Sequence, residues 1–211
     1  MIPISTEQDA IALPAADQRR QAYIDAARKL FFANGYGATS MNAVAAAVGG
    51  SKTTLWSLFP SKLALFEAVM EGIVRDYGQA ITVDLDAAPD VATALQWMGR
   101  SIMTTVMSGP VMEIQRLVIG EAARVPELGQ VMYALGPAEG LMRLAAYLHR
   151  QMQAGRLKPG DTRMAAQQFS GLCRAGVIDR RIVGIADPGD EAEGEREVQA
   201  AVATFMAAWG P

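Results

Sequence analysis

Between Thr39 and Lys62 the chain reads Thr-Ser-Met-Asn-Ala-Val-Ala-Ala-Ala-Val-Gly-Gly-Ser-Lys-Thr-Thr-Leu-Trp-Ser-Leu-Phe-Pro-Ser-Lys, and this stretch limits the fold more than any other. Two helix-forming runs of about two turns each flank a glycine pair. Thr39 or Ser40 can cap the first run, Met41 to Val48, and Gly49-Gly50 breaks it. Ser51 can cap the second, Lys52 to Phe59, and Pro60 ends it. Ala45 is small enough to let the two helices approach, and Gly49 can take the positive φ of a tight turn. Val44, Val48, Leu55 and Phe59 fall on the side that can meet a preceding helix. Ser51, Lys52, Thr53, Thr54 and Ser57 are left facing outward. Two short helices joined this way form either a DNA-reading helix-turn-helix or a plain helical hairpin, and spacing alone does not choose between them.

The rest of the chain reads as helix throughout. Its apolar residues are mainly Ala, Leu, Val and Met, and only 7% of residues are aromatic, so long β-branched or aromatic runs are scarce. Residues 1–16 contain Pro3 and Pro14, lack periodicity and read as a flexible arm. A helix fits residues 17–34, with Ile24, Ala27 or Arg28, Leu30 and Phe31 on one stripe and Gly35 just past its end. A longer one fits 61–77. After the turn cluster Asp86-Ala87-Ala88-Pro89-Asp90, helices are expected near 90–107, 110–123 and 138–154, with a short irregular one at 126–135. One helix is expected over 161–183 and a last one from about Glu191. The reading is an all-α protein of about nine helices.

Net charge is −3, which by itself argues against a nucleic-acid partner, but its distribution points the other way. Residues 17–62 hold Arg19, Arg20, Arg28, Lys29, Lys52 and Lys62 against only Asp17 and Asp25, on an otherwise acidic chain. The single cysteine, Cys173, precludes an intrachain disulfide or a multi-thiolate metal site. The single histidine, His149, has no partner pattern around it and reads as a surface residue on a helix. No Walker A motif and no nucleophile beside a base are visible, so neither an enzyme nor a cofactor is expected. The N-terminus MIPISTEQDA lacks the apolar core of a secretory signal, and the longest uncharged stretch, Leu30 to Ser51, is interrupted by glycine and hydroxyl residues. A soluble, cytoplasmic protein with no membrane partner is expected.

The segment over residues 17–66 resembles the DNA-binding domain of the TetR/AcrR family. That family's first helix ends Phe-x-x-x-Gly-Tyr, here Phe31-Phe-Ala-Asn-Gly35-Tyr36. Thr39-Ser40 and the Ala45 to Gly49 spacing follow. The closing Ser-x-x-Thr-Leu-Tyr-x-Tyr/His-Phe-x-x-Lys appears as Ser51-Lys-Thr-Thr54-Leu55-Trp56-Ser-Leu58-Phe59-Pro-Ser-Lys62. The resemblance implies that Ser40, Thr54 and Lys62 contact phosphates, and that Met41, Lys52 and Thr53 reach base edges, with Lys52 the candidate for a guanine. Trp56 replaces a tyrosine and keeps an N–H donor for a phosphate. Leu58 replaces a phosphate-donating tyrosine or histidine, and either meets a thymine methyl or packs inward. Gly50 replaces a valine, which removes a packing side chain from the start of the recognition helix.

Glu113 to Gly129, followed by Gly136-Pro137, is similar to the C-terminal domains of AefR-like members. The resemblance implies a helix-turn-helix domain over 17–62 and a helical ligand-binding and dimerisation domain over 63–211. The implied function is that of a ligand-responsive regulator, a repressor released from a palindromic double-stranded operator by a small-molecule effector. Candidate dimer contacts are Phe169, Leu172, Gly176, Val198, Val202, Phe205 and Trp209. The opposing possibility is that these stripes are core within one chain. Candidate effector contacts are Trp97, Met103, Met107, Arg116 and Phe169, because methionine adapts to irregular apolar ligands. Arg116 either faces an acidic ligand or pairs with Glu113 or Glu121, the ion pair being the stronger reading. The alternative function is a helical protein-interaction adaptor that has lost DNA binding through Gly50 and Leu58.

Overall fold

The computed structural model describes residues 15–78, 83–187 and 189–211; most of the expected N-terminal arm lies outside them. Eleven α-helices and no strand occur among the described residues. They are α1 (Ala15–Ala38), α2 (Met41–Val48), α3 (Lys52–Leu58), α4 (Lys62–Tyr77), α5 (Val91–Met107), α6 (Gly109–Glu121), α7 (Pro126–Leu135), α8 (Pro137–Gln153), α9 (Thr162–Leu172), α10 (Val177–Ile182) and α11 (Asp190–Trp209).

Local chemistry sets most of the boundaries. Ser40, Ser51, Ser61 and Asp90 each accept a hydrogen bond from the backbone N–H three residues on, satisfying a donor that the first helical turn leaves unpaired. Proline in the first turn opens α6, α7 and α8. Gly35, at φ 82°, turns the chain out of helical geometry three residues before α1 ends. Gly49 adopts the left-handed conformation at φ 68° and closes α2.

The helix expected over 161–183 is two helices. Gly176 at φ 87° interrupts it, and Glu197 of α11 accepts the N–H of Val177 at 2.9 Å. The interruption depends on an acceptor from a helix twenty residues on, which local periodicity does not reveal. This break and the separate α7 raise the helix count above nine.

Two main apolar clusters hold the chain. One joins α1 to α4 and extends into α6 and α7 through Ile114, Val118 and Leu128. Phe31, Tyr36 and Phe66 form its aromatic centre, with ring centroids 5.5–5.9 Å apart. The other joins α5, α8, α9 and α11 around Leu95, Leu148, Phe169 and Phe205. Helix α4 packs along α1 and α7, so it ties the first three helices to the rest.

Candidate DNA interface and effector cavity

Helices α2 and α3 present one apolar face and one polar face. Val44, Ala45, Leu55 and Phe59 are buried against α1, and Val48 is half-buried in the same cluster. Ser51, Lys52, Thr53 and Ser57 are exposed, and Thr54 is half-buried. The Ser51 hydroxyl accepts the Thr54 N–H at 3.0 Å and lies 2.8 Å from the Thr54 hydroxyl. One hydroxyl of this pair donates to the other, so one O–H remains to donate to a phosphate. Lys52 projects from the first turn of α3 and has no hydrogen-bond partner among the described residues.

Two departures from the family pattern are accommodated. Leu58 packs inward on the core of α1–α4. The space above Gly50 is filled by Tyr23, which is fully buried: a Cβ on Gly50 would lie 2.0 Å from the tyrosine oxygen. The same hydroxyl donates to the Ser51 carbonyl at 3.4 Å. Tyr23 thus supplies the packing that the missing side chain would have provided.

Lys62 does not stand free for a phosphate. Its ammonium donates to the carbonyls of Tyr36 (2.7 Å), Thr39 (2.9 Å) and Gly37 (3.3 Å), and lies 4.3 Å from the centre of the Tyr36 ring. Three donors meet three acceptors, so the side chain clasps the turn between α1 and α2. Burial holds its pKa below the usual lysine value, against the opposing pull of Glu121. From the other side Glu121, the last residue of α6, accepts the Gly37 N–H at 3.0 Å. Thr39 is buried, and its hydroxyl lies 2.8 Å from the Gly35 carbonyl and 3.1 Å from that of Leu30.

Met41 is largely buried: only 8% of its surface is exposed, most of the side chain belongs to the apolar core, and the remainder borders a shallow groove. Ser40, Asn42, Trp56 and Lys62 line the groove with it. Trp56 is 47% exposed there. Asn42, exposed on α2, is a polar group at this groove that the motif does not single out.

A second concavity lies deeper. Residues of α4 (Met70, Ile73, Val74), α5 (Met98, Ile102, Val106), α6 (Val111, Ile114) and α8 (Leu141, Leu144) enclose a cavity of about 180 Å³. Its polar lining is Thr105, Gln115, Ser170 and Arg174. None of Trp97, Met103, Met107, Arg116 and Phe169 lines it. The reason is helical phase: one residue turns a side chain by about 100°. On α5 the cavity takes Met98, Ile102 and Val106, whereas Met103 and Met107 pack toward Ile178 and Val198. On α6 Gln115 faces inward. Arg116 faces outward and donates to the carbonyls of Arg181 and Ile182 (3.0 Å for the latter) at the end of α10, so it meets neither a ligand nor Glu113 or Glu121. Phe169 sits edge-on to Phe205 at 5.5 Å in the core. Cys173 is buried, and desolvation pushes its thiol up to about 12, out of reach of thiolate chemistry at neutral pH. His149 is exposed on α8.

Residues 24–69 match the family model described as bacterial regulatory proteins, tetR family. Residues 93–211 match the AefR-like transcriptional repressor, C-terminal domain. The chain belongs to the TetR family. Among solved structures it is similar to the flavonoid-responsive regulator FrrA, at 32% identity over 92% of this chain and 98% of that one, with a TM-score of 0.80. A TetR-family transcriptional regulator from Mesorhizobium loti is 26% identical over 94% of this chain and 100% of its own, with a TM-score of 0.79. No curated protein sequence matches the chain. As a TetR-family member it is a DNA-binding, ligand-responsive transcriptional regulator and not an enzyme. Regulators of this family bind operator DNA and form dimers.

The inner stripe of the last TetR helix is not a dimer face. Phe169, Val198, Val202 and Phe205 are each no more than 5% exposed within a single chain, filling the space between α5, α9 and α11. Gly176 is covered by Glu197, whose carboxylate would stand 2.1 Å from an added Cβ. Leu172 and Trp209 are half-buried at the edge of the core, where the Trp209 indole donates to Gln168 at 3.1 Å. No helix among the described residues is long and apolar enough to cross a membrane.

Proposed function

We propose that the protein is a cytoplasmic repressor that binds a palindromic operator as a homodimer and leaves it when a small molecule enters the cavity. The observation that carries this reading is the dual role of α4. Its first residue, Lys62, clasps the turn that orients the helix-turn-helix, while Met70, Ile73 and Val74 wall the cavity. A ligand that moves this wall shifts the reading head, and the two heads of a dimer must match major grooves one helical turn apart, about 34 Å. Helix α6 offers a parallel route, since Gln115 lines the cavity and Glu121 holds Gly37. The working division is a reading head over 17–62 and an effector and dimerisation unit over 63–211, joined through α4.

Within the head, Lys52 and Thr53 are the base-reading candidates, and Ser40, Thr54 and Trp56 the phosphate donors. Leu58 and Gly50, the grounds for an adaptor without DNA binding, are both accommodated by packing. With the inner stripe of α11 occupied, the dimer face falls on its outer side, where Ala200, Ala203, Thr204 and Ala207 are exposed. Small side chains there allow close approach of a second helix. The similarity to FrrA supports an aromatic effector.

A gel shift on the DNA flanking the gene tests the reading. The wild-type protein retards a palindrome as a dimer. Ala203→Glu gives a monomer by light scattering and loses the shift. Ile102→Trp, which fills the cavity from a half-buried position, weakens binding without any ligand. Retention of full operator affinity by Ile102→Trp would sever the cavity from the reading head.

A further inference from the structure

The polar groups of the cavity are not symmetric between donors and acceptors. Arg174 lies in the turn after α9 and lines the cavity, and among the described residues no carboxylate does. Its guanidinium makes one side-chain hydrogen bond among the described residues, from Nη2 to Gln115 Oε1 at 3.2 Å. It has no ion-pair partner among those residues, whereas Arg100, Arg150 and Arg180 are all paired with carboxylates. A guanidinium carries five N–H donors and no acceptor, so most of its capacity is left over. Gln115 is 7% exposed and spends its carbonyl oxygen on Arg174. That assignment turns its amide nitrogen, a donor, to its remaining surroundings. Thr105 donates its hydroxyl to the Tyr77 carbonyl at 3.2 Å. Ser170 adds a hydroxyl and the remaining side chains of the wall are apolar, and a positive charge set in such walls is worth more to an anion than the same charge in water.

Resting on the reading of this cavity as the effector site, we propose that the effector is an organic oxyanion with an apolar ring body, its charged oxygens held by Arg174 and Gln115. A cavity of about 180 Å³ corresponds to about six waters at about 30 Å³ each, the scale of a one- or two-ring molecule. The ring body lies against Ile73 and Met70 on α4 and Ile102 on α5. The oxyanion lies against α6 and the α9–α10 turn.

The test compares 2-naphthoate with its neutral isostere 2-naphthamide, by calorimetry on the full-length protein and by gel shift. Naphthoate is expected to bind more tightly than naphthamide to the wild type. Arg174→Met should cost naphthoate roughly ten- to a hundred-fold in affinity, the range for hydrogen bonds to a charged group, and leave naphthamide unchanged. Arg174→Lys should recover part of the loss, and unchanged naphthamide binding shows that the variants fold. Equal binding of both compounds to the wild type overturns the proposal, as does a loss in Arg174→Met that is the same for both. Arg174-dependent binding of naphthoate that leaves the operator complex intact supports the oxyanion site and refutes only release by cavity filling. Operator release by naphthamide alone does the reverse.

Discussion

The two ends of α4 are held by different physics. Near its start, Lys62, Thr39 and Glu121 fix the α1–α2 turn through hydrogen bonds of defined length and direction. In its second half, Met70, Ile73 and Val74 face a cavity walled mainly by methionine and aliphatic side chains. Directional contacts hold one arrangement and lose most of their worth when displaced by an ångström. Dispersion and burial are non-directional, and methionine repacks at small cost. A helix joined rigidly to a reading head at one end and softly to a cavity at the other is suited to transmit a change of cavity contents without dissolving the head.

The largest expected effect probes the soft half where it is not soft. Phe205→Ala removes a fully buried ring from the core behind the cavity and should cost about 3–5 kcal/mol in urea unfolding. The folded fraction should still be dimeric by light scattering. A monomer of unchanged stability would return Phe205 to the dimer interface. Next comes the directional end. Lys62→Met keeps the side-chain stem but loses three bonds from a charged donor, and should cost about 3 kcal/mol of stability. The salt slope of operator binding should stay the same, because the side chain is committed to carbonyls. A slope shallower by roughly one unit per lost contact, with unchanged unfolding, would make it a phosphate contact after all.

Residues whose role is decided by near neighbours were legible from the sequence. Ser40 and Ser51 cap the helices that follow them, and Gly49 turns left-handed, because a cap or a turn involves only the next three or four residues. Residues whose role needs a distant partner were not. Gly176 breaks a helix because Glu197 reaches it, and Gly50 is filled because Tyr23 is there. Arg116 and Gln115 are adjacent and both polar, and only the packing of α6 decides which one turns inward. The stripe from Val198 to Phe205 is equally apolar whether it meets its own chain or a second copy, so periodicity identified the buried face without identifying what buries it. The motif placed Lys62 correctly at the start of α4, but its three acceptors lie some twenty-five residues earlier in the chain.

Lys52 sharpens the comparison from the opposite side, because it is a cation of the head with no internal commitment. Lys52→Ala should leave unfolding unchanged and cost about 1–3 kcal/mol per half-site on the preferred operator. On operators already altered at the contacted guanine the loss should vanish. Equal losses on both operators at fixed salt would mean that Lys52 touches only the backbone.

The smallest expected effect asks whether the head depends on packing as well as on directed bonds. Gly50 does not have a positive φ, so alanine there carries no backbone strain. Relieving glycine's unfolded-state freedom would ordinarily stabilise the protein by about 0.4–1 kcal/mol. The obstacle is Tyr23, whose oxygen stands 2.0 Å and whose Cζ stands 2.9 Å from the new Cβ. The ring is fully buried and cannot swing into solvent. Gly50→Ala should therefore cost about 1–2 kcal/mol by overpacking. Tyr23→Phe removes the nearest atom at the expense of one long hydrogen bond to Ser51, so the double variant should be more stable than the sum of the two single losses. Operator affinity should follow the same pattern, because Ser51 caps α3 and any shift of its backbone moves Lys52. Additive losses in both readouts would mean that the ring only fills space beside Gly50. The start of the recognition helix would then be set by the Ser51 cap alone.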